Sequence, residues 1–211
     1  MPSRSDTRFS LFGALALLVS GFAAAQEPSA GLFLVASPRI LDPNFRETVV
    51  LVIQHTPLLS RGVIINRPLD APLSRLMPGD EEFATAQEPV YFGGPVALSH
   101  LSFVFRANSR YKSSVPVMDD LYLGENSALL KDLLRRNSAA GSVRVYAGHA
   151  GWGPGQLQSE IESGSWFMTA ATAAYVFHEK PAHIWGELVK RASLRSVQAD
   201  PGITAALGRQ N

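Results

Sequence analysis

Gly148–Gln156 is the segment whose residue types are best suited to binding. It holds four glycines, His149 and Trp152, and we expect it to form a turn between a strand and a helix. Glycine permits backbone angles that other residues avoid, so main-chain N–H groups could approach a ligand closely here. The N-terminus of the following helix would add free N–H groups and a partial positive charge. Two interpretations stay open: a pocket for an anionic or carbonyl-bearing ligand or a partner's backbone, or a structural turn with Trp152 in the core.

Residues at other strand ends could complete a concave rim around this segment. Asn66-Arg67 ends one predicted strand and Gly93-Gly94 ends another. If these ends converge, polar side chains would surround an aromatic floor, as in a typical ligand site. The candidate rim consists of Asn66, Arg67, Gly93, Gly94, His149, Gly151, Trp152, Gly153, Gln156 and Glu160.

A catalytic alternative rests on Glu160 or His149 as a general base. Gln156 and Glu160 are four residues apart and share one face of the predicted helix. Helix N–H groups could stabilise an oxyanion, which would suit a hydrolase or a transferase. The competing interpretation is that Glu160 lies on a solvated helix face and that His149 is an ordinary loop histidine.

His178 and His183 imitate a zinc-protease motif without meeting its requirements. The two histidines are five residues apart rather than four, and Pro181 interrupts the helix between them. They would therefore not lie on one helical face. The chain also has no cysteine, which excludes disulfides, thiolate metal sites and cysteine nucleophiles. We expect no metal site and no cofactor.

The elements that must position these residues are mostly short strands, followed by helices. Thr48–His55 is the clearest strand because it is rich in β-branched residues, and Gly31–Ala36 is expected to be covered on both faces. This order favours a single α+β domain with a bent, mostly antiparallel sheet over a doubly wound parallel sheet. Other predicted strands are 62–66, 90–92, 101–105, 115–118, 121–123, 142–147, 165–168 and 175–177; helices are predicted at 127–136, 155–163 and 181–192.

Residues 1–25 read as a secretory signal peptide. Arg4 and Arg8 precede an apolar stretch, and Ala23–Ala25 supplies the small residues of a cleavage site. Cleavage would remove two basic residues and one acidic residue, leaving 17 of each sign. Because the mature chain would be neutral, we expect no nucleic-acid partner. We also expect no membrane span after cleavage, since no later segment is long and apolar enough.

The domain organisation follows from the same boundaries. We predict a folded domain at 26–192 and an unstructured or weakly structured C-terminal tail at 193–211. With 46% hydrophobic and 18% charged residues, the chain is not intrinsically disordered and can form a sizeable core.

Several strings resemble the YqgE/AlgH family, in the same order. They are GLFLVASPRILDPNFRETVVLVIQH, GVIINRP, YFGGPV, LYLG and AGHAGWGPGQLQSEIESGSW, and the resemblance covers Gly31 to Trp185. It implies a single α+β domain with a bent, partly barrel-like sheet flanked by helices. It also implies no established enzyme activity, no cofactor and no agreed ligand. The family's label of transcriptional regulator is a genetic inference, and the chain contains no evident helix-turn-helix.

Two departures from the family separate this chain from its relatives. Family members usually carry a Gly-Ala-x-Gly turn after the histidine that matches His55, whereas this chain has Leu59–Gly62 as Leu-Ser-Arg-Gly. Members are also typically cytoplasmic, and this chain begins with an export signal. The favoured hypothesis is a non-enzymatic periplasmic or secreted domain that binds an unknown small ligand or protein partner. The alternatives are the hydrolase or transferase above, and a cytoplasmic regulator whose start codon has been misassigned.

Overall fold

The structure is a computed structural model that describes residues 30–136 and 142–199, with side chains up to residue 193. The predicted signal peptide and the residues after 199 lie outside this part of the chain. Within the described ranges, no helix is both long and apolar enough to cross a membrane.

Ten strands run through the described residues, and most of them coincide with the predicted apolar runs. In chain order they are β1 (Leu32–Ala36), β2 (Val49–Thr56), β3 (Leu59–Ile64), β4 (Pro68–Pro72), β5 (Pro89–Phe92), β6 (Val96–Arg106), β7 (Ser114–Met118), β8 (Leu121–Gly124), β9 (Val143–Trp152) and β10 (Trp166–Ala170).

The strands form one curled half-barrel sheet in the order β10-β1-β2-β3-β9-β6-β8-β7. The short pair β4 and β5 joins this sheet because β5 pairs with β9. The β5–β9 pairing is parallel and every other pairing recorded between the described strands is antiparallel. The prediction of an α+β domain with a bent, mostly antiparallel, partly barrel-like sheet is therefore confirmed.

Five α-helices flank the sheet in the described residues. They are α1 (Leu73–Leu76), α2 (Ser127–Arg135), α3 (Gln156–Glu162), α4 (Ala173–Val176) and α5 (Ile184–Ala199). The predicted helix at 127–136 is confirmed as α2 to within one residue. Its start is capped by Asn126, whose Oδ1 accepts a hydrogen bond from the Leu129 N–H. The helix at 155–163 is confirmed as α3, which is shorter by one residue at each end.

The core lies on both faces of the central strands. Alternate residues of β1 and β2 point in opposite directions, so Phe33 and Leu51 enter one hydrophobic cluster while Leu34 and Val50 enter another. The first cluster also receives Leu188 from α5. The prediction that the first apolar run is a strand covered on both faces is confirmed.

Several predicted elements need correction. Strand β3 is Leu59–Ile64 rather than 62–66, β6 begins at Val96 rather than at 101, and β4 was not predicted. Residues 175–177 are not a strand, because Ala173–Val176 form the helical turn α4; a short apolar run does not distinguish the two. Strand β9 continues to Trp152, so most of the glycine-rich segment is strand rather than turn. The helix predicted at 181–192 is α5, Ile184–Ala199, which is preceded by a 3₁₀ turn at Pro181–His183. Residues 200–211 lie outside the described part, and the domain end at 192 stays a prediction. The Ser193 hydroxyl donates to the Val189 carbonyl, a bond typical of a continuing helix.

Candidate functional site

Trp152, at the end of β9, is packed into an aromatic group rather than exposed at a rim. Its side chain is 3% exposed, and its ring centroid lies 6.0 Å from that of Trp166 and 6.4 Å from that of Phe45. Phe45 in turn lies 5.8 Å from Trp166 in an edge-to-face arrangement. We call Phe45, Trp152, Gln156, Glu160 and Trp166 the tryptophan corner.

The carboxylate of Glu160 joins the members of this corner. Its Oε2 accepts hydrogen bonds from the indole N–H groups of Trp152 at 2.9 Å and Trp166 at 2.8 Å. Its Oε1 accepts from the Gln156 side-chain amide at 2.8 Å. Gln156 Oε1 accepts from the Gly153 N–H at 3.1 Å. Both carboxylate oxygens are occupied, so the geometry gives Glu160 a structural role and does not favour it as a base.

Asn66 and Arg67 hold the loop between β1 and β2. Asn66 is buried, its Oδ1 accepts from the Val49 N–H at 2.8 Å, and its Nδ2 donates to the Glu47 carbonyl at 2.9 Å. The Arg67 guanidinium donates to three backbone carbonyls, those of Pro43, Asn44 and Arg46. Burial, followed by the neighbouring charge of Arg46, lowers the pKa of Arg67. These two side chains are committed to the backbone that carries Phe45.

Gly93 and Gly94 allow the chain after β5 to pass directly against β9. A Cβ at Gly93 would overlap the Gly148 carbonyl, and a Cβ at Gly94 would overlap the backbone of His149 and Ala150. Gly148 has a φ of 71°, which favours glycine. These glycines therefore serve a close backbone crossing. Of the ten residues of the predicted rim, the structure therefore joins Trp152, Gln156 and Glu160 by hydrogen bonds in the tryptophan corner, while Asn66 and Arg67 bond to the loop before β2. That the ten form a binding rim stays a prediction.

A second group of polar residues lies where β3, β9, β6 and the end of β8 are neighbours. Arg61 Nη2 is 3.2 Å from Glu125 Oε1, and His100 Nε2 is 3.5 Å from the same oxygen. His149 interacts electrostatically with these three residues. We call Arg61, His100, Glu125 and His149 the polar face.

The sheet register explains how distant residues meet on this face. Arg61 in β3 lies opposite Gly151 in β9, and His149 lies opposite Val96 in β6. Since Gly151 has no side chain, the His149 ring covers this part of β9; a Cβ at residue 151 would lie 3.8 Å from that ring. Arg61 lies beside this stretch in the register, and its guanidinium reaches Glu125, which follows β8.

Two nitrogen atoms of the polar face, Arg61 Nε and His149 Nδ1, are buried and have no hydrogen-bond partner among the described residues. Unpaired buried polar atoms are rare in folded proteins because each one costs free energy. Burial lowers the pKa of His149, as do the charges of Arg61 and His100, while Glu125 opposes them. These effects favour the neutral form of the His149 ring over the charged form.

Exposed apolar side chains surround the polar face. Val96 is 44% exposed and Leu98 is 54% exposed, and both lie beside the β9 glycines. His100 and Glu125 line a hollow of about 210 Å³. Glu125 also lines a second hollow of about 320 Å³, together with Val115. Polar groups with exposed apolar neighbours are typical of recognition surfaces.

One serine–histidine pair meets the distance requirement for a nucleophile and its base. His55 Nδ1 lies 2.8 Å from Ser60 Oγ, beside a hollow of about 380 Å³ lined also by Gly153 and Gly155. Ser60 is only 3% exposed, however. No carboxylate within residues 30–136 and 142–199 hydrogen-bonds the His55 ring to orient it.

The zinc-like histidines and other metal candidates give no cluster in the described part of the chain. His178 Nδ1 accepts from the Lys180 N–H at 3.0 Å, and the His178 ring stacks on Tyr175. No group of three or more histidine, aspartate or glutamate residues within the described ranges is arranged to hold a metal ion.

The comparisons with known proteins agree with the resemblance found in the sequence. A family model described as AlgH-like matches residues 33–196. The chain belongs to the AlgH-like family. A UPF0301 protein of Myxococcus xanthus is 35% identical to this AlgH-like chain over 173 residues, which are 81% of this chain and 91% of the relative. A UPF0301 protein of Chlorobium luteolum is 34% identical over 163 residues, which are 77% and 85%.

Two solved structures are similar to this AlgH-like fold. A crystal structure of a protein from Corynebacterium diphtheriae matches with a TM-score of 0.66 and 28% identity, over 79% of this chain and 88% of that one. The solution structure of the AlgH protein from Pseudomonas aeruginosa matches with a TM-score of 0.60 and 23% identity, over 89% and 97%. The second likeness is evidence for the fold alone.

The sequence analysis selected some residues of the tryptophan corner and some of the polar face of this AlgH-like chain. It selected Trp152, Gln156 and Glu160, and their proximity is now explained by hydrogen bonds within the tryptophan corner. It also selected His149 and Gly151. It missed Arg61, His100 and Glu125, whose only signal was that Arg61 lies in the segment that departs from the family pattern.

Proposed function

We propose that this AlgH-like protein is a non-enzymatic, exported binding domain and that the polar face is its recognition surface. The ligand would be a small molecule or a segment of a protein partner that offers hydrogen-bond acceptors beside apolar groups. Export to the periplasm or the exterior is supported by the three-part pattern of residues 1–25. The family match begins at residue 33, after that pattern.

The observation that carries this proposal is the incomplete hydrogen bonding of Arg61 and His149. Each has a buried nitrogen that no described residue pairs with, and the side chains of Val96 and Leu98 beside them are exposed. By contrast, the polar side chains of the tryptophan corner are bonded to one another. A bound ligand would supply acceptors to the cationic side of the polar face and would cover its apolar neighbours.

The binding proposal is tested by native mass spectrometry of the protein extracted from the cell envelope. We expect a bound ligand on the wild-type protein, and we expect the Arg61→Met variant to lose it while remaining folded. Arg75→Met is the matched control because Arg75 is an exposed arginine whose hydrogen bond within the described residues is a long one, at 3.5 Å, to the Asp70 carbonyl. Equal retention of the ligand by both variants would refute the assignment to the polar face.

A hydrolase or transferase is the second candidate, and the 2.8 Å contact between His55 and Ser60 is what favours it. This candidate replaces Glu160 and His149 as the proposed base, because Glu160 is fully bonded and no hydroxyl in the described residues bonds to His149. Hydrolysis of p-nitrophenyl acetate that is lost in Ser60→Ala would establish it. We expect no difference between the wild type and this variant.

The third candidate, a cytoplasmic regulator with a misassigned start codon, differs from the proposal in its N-terminus. Sequencing the N-terminus of the protein from fractionated cells separates the two. Under the proposal, the envelope fraction contains a chain beginning at Gln26. An intact Met1 in the cytoplasmic fraction would exclude export.

A further inference from the structure

Glu125 contributes the single carboxylate of the polar face, and two groups from other strands converge on one of its oxygens. Arg61 Nη2 approaches Oε1 from β3, and His100 Nε2 approaches the same atom from β6. Arg61 and His100 together therefore provide a position for one carboxylate oxygen, which Glu125 Oε1 occupies. Because Arg61 is permanently charged, this position suits an anionic group.

The backbone on both sides of Glu125 is fixed, whereas its side chain is not. Gly124 ends β8 against the ring of Phe103, which leaves no space for a side chain at residue 124. Asn126 is held by its capping bond to the Leu129 N–H. The Glu125 side chain is 40% exposed, and its recorded contacts in the described residues are those made by Oε1. It can therefore turn into solvent without moving the backbone.

The contact of Glu125 with Arg61 is of a weak kind. Exposed ion pairs contribute little to stability because solvent screens the charges and because two flexible side chains lose freedom. A carboxylate that arrives on a ligand could use both of its oxygens and would be partly shielded from water by Val96 and Leu98. Such a ligand would compete effectively with Glu125 for the same donors.

We propose that Arg61 and His100 form a carboxylate-binding subsite, which Glu125 fills in the ligand-free protein and leaves when the carboxylate of a ligand binds. This inference rests on the proposed function and names the chemistry of its ligand. A monoanionic carboxylate matches the subsite because leaving Glu125 exposes one permanent charge, that of Arg61. The carboxylate can belong to a free organic acid or to an acidic or C-terminal group of a peptide.

The test is an NMR titration of the histidine ring signals of the mature protein with sodium acetate. In the Glu125→Ala variant we expect acetate to shift the His100 signals at a concentration about tenfold lower than in the wild type, if Glu125 occupies the subsite about nine-tenths of the time. The Glu162→Ala variant is the control, because Glu162 is an exposed glutamate on α3 whose recorded partner is Gln158. It should behave as the wild type does.

Two results of the acetate titration would overturn the inference. One is an equal acetate affinity in Glu125→Ala and the wild type; the other is an unchanged shift in the double variant Glu125→Ala with Arg61→Met. Circular dichroism establishes beforehand that each variant is folded. Inorganic phosphate serves as a second probe, and binding of phosphate in preference to acetate would also contradict the assignment.

The source of the carboxylate is resolved by two further probes. Succinate represents a free organic acid, and N-acetyl-Leu-Ala-Ala with a free C-terminus represents a peptide, with its C-terminal amide as control. Tighter binding of the free peptide than of succinate or the amide indicates a peptide ligand, and the reverse indicates an organic acid; both support the subsite. If acetate binds as expected but no ligand is found on the envelope protein, the proposed function fails while the subsite stands.

Discussion

The tryptophan corner and the polar face differ in how completely their polar groups are paired. In the corner, one carboxylate accepts from two indoles and an amide, and the amide oxygen accepts a backbone N–H. On the polar face, Arg61 Nε and His149 Nδ1 are buried, and no residue in the described ranges hydrogen-bonds to them. A group whose bonds are all made within the chain stabilises the fold, whereas a buried polar atom without a partner costs free energy. The polar face therefore gains less from its internal contacts than the tryptophan corner does.

This difference shows why an unusual sequence motif need not be a ligand site. The glycine-rich segment is unusual because β9, α3 and the chain after β5 meet there, and Gly93, Gly94 and Gly148 permit the close crossing. Trp152 fills the space beneath α3, and Glu160 fixes its orientation. The four residues of the polar face form no local motif, since each comes from a different part of the chain.

Removing Trp152 should have the largest effect on stability. Trp152→Ala deletes a large buried side chain and its contacts with Phe45 and Trp166, so we expect the free energy of unfolding to fall by ~3–5 kcal/mol. Trp152→Phe keeps most of the packing and should lose less. Urea denaturation measures both variants. A loss below about 1 kcal/mol in Trp152→Ala would mean that the corner does not support the fold.

Asn66→Ala should have the next largest effect, because Asn66 belongs to the support of the corner. The change leaves the Val49 N–H without its acceptor and the Glu47 carbonyl without its donor. We expect a loss on the order of 2 kcal/mol in the same denaturation experiment. Asn44→Ala is the control, because Asn44 takes part through its backbone carbonyl and N–H, which the substitution retains. Equal losses in the two variants would contradict this role.

The pKa of His149 gives a smaller and more specific effect on the polar face. The charged groups that face His149 are Arg61, His100 and Glu125. We expect Arg61→Met to raise the pKa of His149 and Glu125→Gln to lower it further, as measured by NMR titration. If neither change moves the His149 titration, the four residues do not form one electrostatic unit.

The lowered pKa of His149 also predicts a pH dependence of stability. Its pKa in the folded protein is below the value of about 6.5 for an unfolded chain, so the unfolded state binds the proton more readily. Stability should therefore fall as the pH is lowered from about 6.5 towards the folded-state pKa. His149→Gln should show a smaller fall over this interval, and an identical pH profile would contradict the assignment.

The elements of the fold were largely predictable from the sequence, because β1 and β2 are apolar and β-branched enough to specify strands. The ends of other strands were harder to predict. Strand β9 was predicted to stop before its glycines, since glycine is unfavourable in a strand. It continues because β3 pairs with Ala150–Trp152. Such pairing depends on distant chain segments and leaves no local signal.

The tryptophan corner was more predictable than the polar face, because more of its contacts are between residues close in sequence. The shared helix face of Gln156 and Glu160 follows from their spacing, and their 2.8 Å bond confirms that proximity. That Glu160 also meets Trp152 and Trp166 depends on how α3 packs between β9 and β10. The approach of Arg61 to Glu125 depends on the register of four strands, which the sequence alone does not determine.

The most direct test of the account is to compare Glu160→Ala and Arg61→Met in one urea-denaturation experiment. Glu160→Ala leaves two indole N–H groups without their acceptor, so its free energy of unfolding should fall by about 2–3 kcal/mol. Arg61→Met removes a weak surface ion pair and an unpaired nitrogen, so its value should stay within about 1 kcal/mol of the wild type. The opposite order, with a stable Glu160→Ala and a strongly destabilised Arg61→Met, would contradict the division between a structural corner and a recognition face.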